Sequence, residues 1–338
     1  MIAADAPVSA PAGLVDLASA RVGGAAILAN DEFFAEKENL LKPGRGIFIP
    51  DKYTDRGKWM DGWETRRRRT SGNDWCVVQL GLRGIIKQVD IDTNHFLGNH
   101  PPFASLDALC LTNGLSSDVS GVEGFSWKPL LAHSPLNPGS QNLFAIASDQ
   151  VWTHVRLTII PDGGVARLRV YGIVVPDWSK RKPGELVDLA AIESGGVPLA
   201  CSDMFFSSMN NLIMPGRSEN MGDGWETKRR RGPGYDWIIL KLGLPGTIRK
   251  VEVDTNYFKG NYPDMCSIDG CVAPDASTDE LISSDVHWTE TLPKTKLQGH
   301  KRHFFEQELR GIANCTHIRL NIYPDGGVSR LRVWGTPA

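Results

Sequence analysis

The chain repeats itself, so whatever it folds into must be built twice. DGWETRRRRTSGNDWCVVQLG at 61–81 and DGWETKRRRGPGYDWIILKLG at 223–243 align without gaps, with 13 of 21 positions identical. VDIDTNHFLGNHPP from Val89 matches VEVDTNYFKGNYPD from Val251 at the same offset of 162. THVRLTIIPDGGVARLRVYG from Thr153 matches THIRLNIYPDGGVSRLRVWG from Thr316, 15 of 20 being identical. Earlier in each copy, NDEFFAEKENLLKPGR from Asn30 matches SDMFFSSMNNLIMPGR from Ser202, now at an offset of 172. The first copy therefore carries a ten-residue insertion between Arg45 and Asp61, within GIFIPDKYTDRGKWM. Each copy has the length of one domain. The expected layout is a leader at 1–25, a first repeat at 26–175, a linker rich in Pro and charge at 176–196, and a second repeat at 197–338.

The local pattern is that of strands. Val77–Leu80 and Ile85–Ile91 are short, branched and bounded by glycine. VRLTII, PDGG and RLRVYG read as a hairpin, with Pro161 opening the turn and Gly163 and Gly164 free to take positive φ. In the last strand Leu168 and Val170 face one way, Arg167 and Arg169 the other. Only residues 30–40 hint at a helical period. Many short strands with turn signals predict an all-β chain of two tandem β-sandwiches.

Several function classes fall away on composition. The net charge is −2 with 22% charged residues, so the arginine runs are local and the whole-domain basic face of a nucleic-acid binder is missing. No apolar run is long enough to span a membrane, and no membrane contact is expected. The first twenty residues lack a basic n-region, which argues against a signal peptide. The six cysteines show neither CxxC pairs nor regular spacing; they read as buried, reduced thiols of a cytoplasmic protein. There is no HExxH, and His300 and His303 in HKRH are flanked by Lys301 and Arg302 and read as surface; no cofactor is expected, and a hard divalent ion held by carboxylates such as Asp92 is left open without support from the motifs.

DGWETRRRR, the DTNHF and DTNYF pair, and the twin PDGG endings resemble the allantoicase family, over a match running from about Asn30 to Gly335. The resemblance implies two jelly-roll domains of the galactose-binding-like kind. It implies a hydrolase of purine breakdown that converts allantoate and water to ureidoglycolate and urea, and a homo-oligomer. The alternative is a non-catalytic tandem sandwich that grips a sugar or another small polar ligand. A lectin of that kind would be expected to show disulfides or a secretion signal.

Allantoate has a carboxylate and two ureido arms on one carbon, and each makes a demand. The carboxylate calls for arginine, the arms for paired donors and acceptors, and urea departure for a proton donor and a base. His95 is the first candidate acid or base, since imidazole titrates near neutral pH. Glu64 and Asp61 are the others. Arg66 or Arg67 would hold the carboxylate, because alternate arginines of an extended run face opposite ways. Arg45, Glu38, Asp92 and Asn94 complete the expected contacts. Glu226, Arg229, Asp254 and Asn256 are their counterparts in the second repeat.

Duplication also argues for a plainer role. Residues kept in both copies can be skeleton: the arginine runs can pair with Glu64, Asp61 and Asp74, and Asp92–Asn94 can be an ordinary Asx turn. Trp63, Trp75, Trp225 and Trp237 read as core, and His154 and His317 as buried, hydrogen-bonded histidines. The differences favour the first copy as the seat of chemistry. It has His95 and His100 where the second has Tyr257 and Tyr262, and Glu38 where the second has Asn210. It also has the inserted loop, and loops are where function is commonly added.

Overall fold

The computed structural model describes residues 11, 13–111, 124–182, 184–283 and 285–338. The chain divides after Val175 into two compact units. Each is almost entirely β; among the described residues the one α-helix is Thr278–Ile282.

The first unit is built around a single strand of 19 residues, Asp74–Asp92. Val78 in its first half lies opposite Val155 of Val151–Ile160 on one side and Ala26 of Ala25–Ala29 on the other. That layer continues through Phe103–Leu109 to Lys128–Pro135. Val89 in the second half lies opposite Val170 of Arg167–Val174 and Phe144 of Leu143–Ala145. This second layer ends on Val15–Asp16. The pairing with Val151–Ile160 slips between Gln79 and Gly84, where the strand passes from one layer to the other. The result is a sandwich of two sheets that share a strand.

The core follows from the alternation. Val77, Val78, Val89, Ile91, Leu106, Leu157 and Ile159 are all wholly buried. Burial of each such side chain contributes on the order of 2 kcal/mol. The second unit repeats the plan around Asp236–Asp254, flanked by Cys315–Tyr323 and Val197–Cys201 in one layer and by Arg330–Pro337 and Arg302–Phe305 in the other.

Several local expectations change. The two short strands at 77–80 and 85–91 are one. The hairpin across PDGG does not form: Val151–Ile160 and Arg167–Val174 both pair with Asp74–Asp92, one on each half. The periodicity at 30–40 resolves into the 3-10 turn Lys37–Leu41. Val15–Asp16, placed in the leader, and Val187–Asp188, placed in the linker, are edge strands of the two sheets; residues 1–10 and 12 lie outside those described. Trp63 and Trp225 are fully buried, whereas Trp75 and Trp237 are half-buried. All six cysteines are free, but Cys110 is exposed and Cys201 only half-buried.

Candidate active site

PDGG has another use than a hairpin. Gly164–Val165 pairs with Trp63–Glu64, and Glu64 is bridged on its other side by Ala35. Thr65 locks this ribbon, its N–H donating to the Gly163 carbonyl at 3.1 Å and its hydroxyl accepting from the Gly163 N–H at 3.2 Å. The loop after Asp92 packs on the ribbon so closely that a Cβ on Gly164 would lie 2.0 Å from the Phe96 ring. Gly163 has φ 143° and accepts no side chain there either, since Asn99 O is 2.7 Å from its Cβ position. This close approach places the Asn99 amide, which donates to Glu64 Oε1 at 2.7 Å. Glu64 is half-buried. Burial pushes its carboxyl above the usual range, and the Asn99 hydrogen bond opposes the shift.

Four other expected site residues form a buried scaffold beneath. Arg45 grips Asp92 with two bonds, Nε at 2.8 Å and Nη2 at 2.9 Å. Asp92 also accepts from the Asn94 N–H, and the Asn94 amide donates to Gly46 O at 2.8 Å. Asp61 is buried against Arg167, Nη2 to Oδ2 at 2.6 Å, and also accepts from the Ile47 N–H. Arg167 donates further to Asp61 O and Ala166 O. So Asp92–Asn94 is the Asx turn, and Asp61, Arg45 and Asp92 are already committed to partners. Glu38 is exposed and paired with Lys37 at 2.8 Å, apart from this scaffold.

The arginine run splits as an extended segment should. Arg66 pairs with Asp31 at 2.6 Å and Arg68 with Asp74 at 2.5 Å, while Arg67 points outward, 83% exposed and 3.9 Å from Asp162. Of the acids expected to neutralise the run, only Asp74 does so; Asp31 and Asp162 replace Glu64 and Asp61.

The inserted segment folds back over the same face. Its hairpin pairs Tyr53–Thr54 with Gly57–Lys58. Arg56 Nη1 donates to the Phe33 carbonyl at 2.9 Å, and the Arg56 and Arg66 guanidiniums each sit 5.3 Å from the Phe33 ring. Phe48 of the insertion packs on Met60, Phe96 and Ala166, and its ring lies 5.6 Å from that of His95. His95 is half-buried with φ 66°. His154 and His317 are buried in their strands, and burial pulls both imidazoles down to about 4, which leaves them neutral structural groups. Among the described residues no cluster of three His, Cys, Asp or Glu side chains is placed to hold a metal ion, and no helix is long and apolar enough to cross a membrane.

A family model described as the allantoicase repeat matches residues 15–175 and again 187–338. The chain belongs to the allantoicase family. It is 50% identical to "Allantoicase" of Dictyostelium discoideum across 94% of this chain and 86% of that protein. It is 49% identical to "Probable allantoicase 1" of Burkholderia mallei, across 95% and 94%. The crystal structure of allantoicase from Saccharomyces cerevisiae superposes with a TM-score of 0.79 at 36% identity, covering 96% of this chain and 94% of that one. The chain is a hydrolase of this family.

The second allantoicase repeat rebuilds the scaffold almost atom for atom. Arg217 grips Asp254 at 3.0 and 3.3 Å, Asn256 caps Asp254 and holds Ser218, and Arg330 pairs with Asp223. Glu226 receives the Asn261 amide at 2.5 Å, and burial raises its carboxyl too. Arg229 is exposed, beside a groove of about 330 Å³ lined by Ser202, Asp203, Lys228–Gly232 and Asp236. No insertion covers this copy, and Tyr257 stands at the His95 position with φ 67°. The partner that residue-by-residue reading overlooked is Asn99. It lay in plain view in GNHPP and GNYPD, where the Asn stays while the flanking His and Tyr change.

Proposed function

We propose that the chain hydrolyses allantoate to ureidoglycolate and urea, and that the ribbon of the first unit carries the reaction. The 2.7 Å pair of Glu64 and Asn99, on a ribbon fixed by two glycines, supports this reading most. A carboxyl whose burial favours the protonated form is suited to giving a proton to a departing nitrogen. The C–N bond to one ureido arm breaks, and that nitrogen takes the Glu64 proton and leaves as urea. In the direct route water adds its oxygen to the same carbon and gives one proton to His95, which passes it back to the Glu64 carboxylate. In the elimination route His95 takes the N–H proton of the remaining ureido arm as urea leaves and passes it back to Glu64, and water then adds across the C=N bond, its oxygen to carbon and one proton to nitrogen. Asn99 holds Glu64 and presents its carbonyl oxygen to a ureido N–H. Arg66 lies at the rim, already paired with Asp31, with Arg67 outside it. Asp61, Arg45, Asp92 and Asn94 act as positioning residues, since they fix the loops that carry Phe48, His95 and Asn99. Glu226, Arg229, Asp254 and Asn256 form the corresponding set in the second unit.

The substrate is a small molecule, and the reading needs neither nucleic acid, membrane nor cofactor. It places the enzyme in the cytoplasm as a homo-oligomer. Six free cysteines suit a reducing compartment, and the exposed Phe205 and Phe206 offer apolar surface for association. The test is to incubate chelator-treated protein with allantoate and follow urea and ureidoglycolate together. Equal release of both is the expected result; no release, even with divalent ions restored, sinks the proposal.

A further inference from the structure

We infer that the insertion of the first unit is a carboxylate-recognition flap, and that Lys58 is the cation that reads the negative charge of the substrate. The inference rests on the reading that the Glu64 ribbon is the reaction site. It follows from what the flap touches and from which charges remain unspent.

The flap is fastened at both sides of the proposed site. On one side Arg56 holds the Phe33 carbonyl, and a Cβ on Gly57 would lie 3.8 Å from the Phe34 ring. The Phe34 N–H in turn donates to the carbonyl of Glu64 at 3.2 Å. On the other side Phe48 joins the buried cluster of Met60, Phe96 and Ala166 and meets the His95 ring. Lys58 stands between these anchorages with its Nζ 4.4 Å from the centre of the Phe48 ring. An ammonium over an aromatic face is held in place without losing its charge.

Among the cations of the flap and the arginine run, Lys52, Lys58 and Arg69 have no carboxylate partner among the described residues; Lys52 sits over the Trp59 ring, and Lys58 sits over Phe48, the ring that meets His95. Arg45, Arg66, Arg68 and Arg167 are each paired with an aspartate, so each is largely neutralised before substrate arrives. Arg56 is used on a carbonyl. Among the described residues Lys58 has no carboxylate within ion-pair distance; it is exposed, and the Phe48 ring beneath it lies 5.6 Å from that of His95. A free ammonium there attracts a small carboxylate as a point charge. The neighbouring Phe48 and His95 rings offer flat faces for a planar ureido arm. The ligand class is thus a small monocarboxylate bearing planar urea groups.

The second unit is the natural control. Five residues, Ser218–Gly222, span what fifteen span in the first, so no Lys58 counterpart exists. The diphenylalanine that the flap shelters in the first unit, 39% and 37% exposed, stands 70% and 61% exposed as Phe205 and Phe206.

The experiment measures KM and kcat for allantoate in Lys58→Ala, Lys58→Glu and Lys58→Arg, with Glu64→Gln in parallel. Lys58 is a surface residue, so all three variants are expected to fold. Loss of one charge-assisted contact raises KM about tenfold in Lys58→Ala with kcat within about threefold, and Lys58→Glu raises it further. Lys58→Arg restores most of the affinity. Added salt raises KM of the parent enzyme and leaves that of Lys58→Ala nearly flat. An unchanged KM in Lys58→Ala beside an inactive Glu64→Gln overturns the flap assignment alone. A fully active Glu64→Gln overturns the ribbon reading; if KM is also unchanged in Lys58→Ala both fall, and if KM is raised the flap stands and the acid lies elsewhere.

Discussion

The two units share a skeleton and differ at the mouth, and the contrast sorts the conserved polar residues by what they are for. Asp61–Arg167 returns as Asp223–Arg330, Arg45–Asp92 as Arg217–Asp254, and Arg68–Asp74 as Arg230–Asp236. The aspartates of these pairs are buried or half-buried, and the pairs tie loops to sheets in both copies, whether or not a flap is present. Glu64–Asn99 and Glu226–Asn261 also recur, yet they bond an exposed amide and close no loop that the glycine ribbon has not already closed. Packing does not account for them, and the proposed reaction is assigned to the first of the two. What then differs is the surround: flap, Lys58, Phe48 and His95 in the first unit, against an open mouth with Tyr257 in the second.

The largest expected effect tests that division. Glu64→Gln should lower kcat by about 10²–10⁴-fold, the range general acid catalysis supplies, while Glu226→Gln stays within about threefold of the parent. His95→Ala should cost about 10²-fold against little for Tyr257→Ala. Both pairs are read in one urea-release assay. Equal losses in the two units would mean that the flap does not decide where the reaction runs.

The next effect probes the shared half of the comparison. Arg167→Ala strands Asp61, and Arg330→Ala strands Asp223; removing one partner of a buried pair costs about 3–5 kcal/mol. Calorimetry should show each variant lowering the unfolding temperature of its own unit. Arg67→Ala, from a side chain that is 83% exposed, should leave both transitions where they were. If Arg167→Ala melts normally but loses activity, Asp61 and Arg167 belong to the chemistry after all.

Much of this was legible beforehand, and the misses have physical causes. The duplication, the all-β character and the place of the insertion follow from the residues alone. The hairpin failed because PDGG flanked by two strands carries a turn signal but no partner information. Both flanking strands found the longer Asp74–Asp92 instead, a choice made by long-range pairing. Asp61 looked like an acid or base, and Arg45 and Asp92 like contacts for the substrate, because a charge in a motif shows its type and hides its partner. Arg167, more than a hundred residues away, supplies the partner for Asp61. Asn99 went unnoticed because asparagine in a Gly-Asn-His-Pro loop reads as turn chemistry first.

The smallest expected effect concerns an asymmetry beneath the site. Glu252 is gripped by Arg302 through two bonds, whereas its counterpart Asp90 receives, among the described residues, only the Gln141 amide at 2.7 Å and the Asn142 N–H at 3.1 Å. Asp90 is wholly enclosed. Burial, with a smaller push from Asp92, raises its carboxyl from 3.8 to about 6, against the pull of Gln141, Asn142 and Arg169. A carboxyl whose folded value lies above its unfolded one stabilises below the unfolded value, and that contribution is lost as pH rises through about 6. The first unit should therefore weaken between pH 4 and 7, by an amount on the order of 1–3 kcal/mol. Asp90→Asn removes the charge, and the Gln141 amide can turn over so that its oxygen accepts from the new amide. That variant should melt higher than the parent at pH 8 and nearly equal to it at pH 4. Glu252→Gln should do the opposite and lose about 1 kcal/mol at pH 8, because it breaks a pair whose arginine is 46% exposed and hydrates readily. Opposite signs at pH 8 would show that the two copies, alike in backbone, have diverged in how they bury a negative charge. The same sign would mean that Asp90 is ionised and satisfied like Glu252, and the asymmetry would then be confined to the flap.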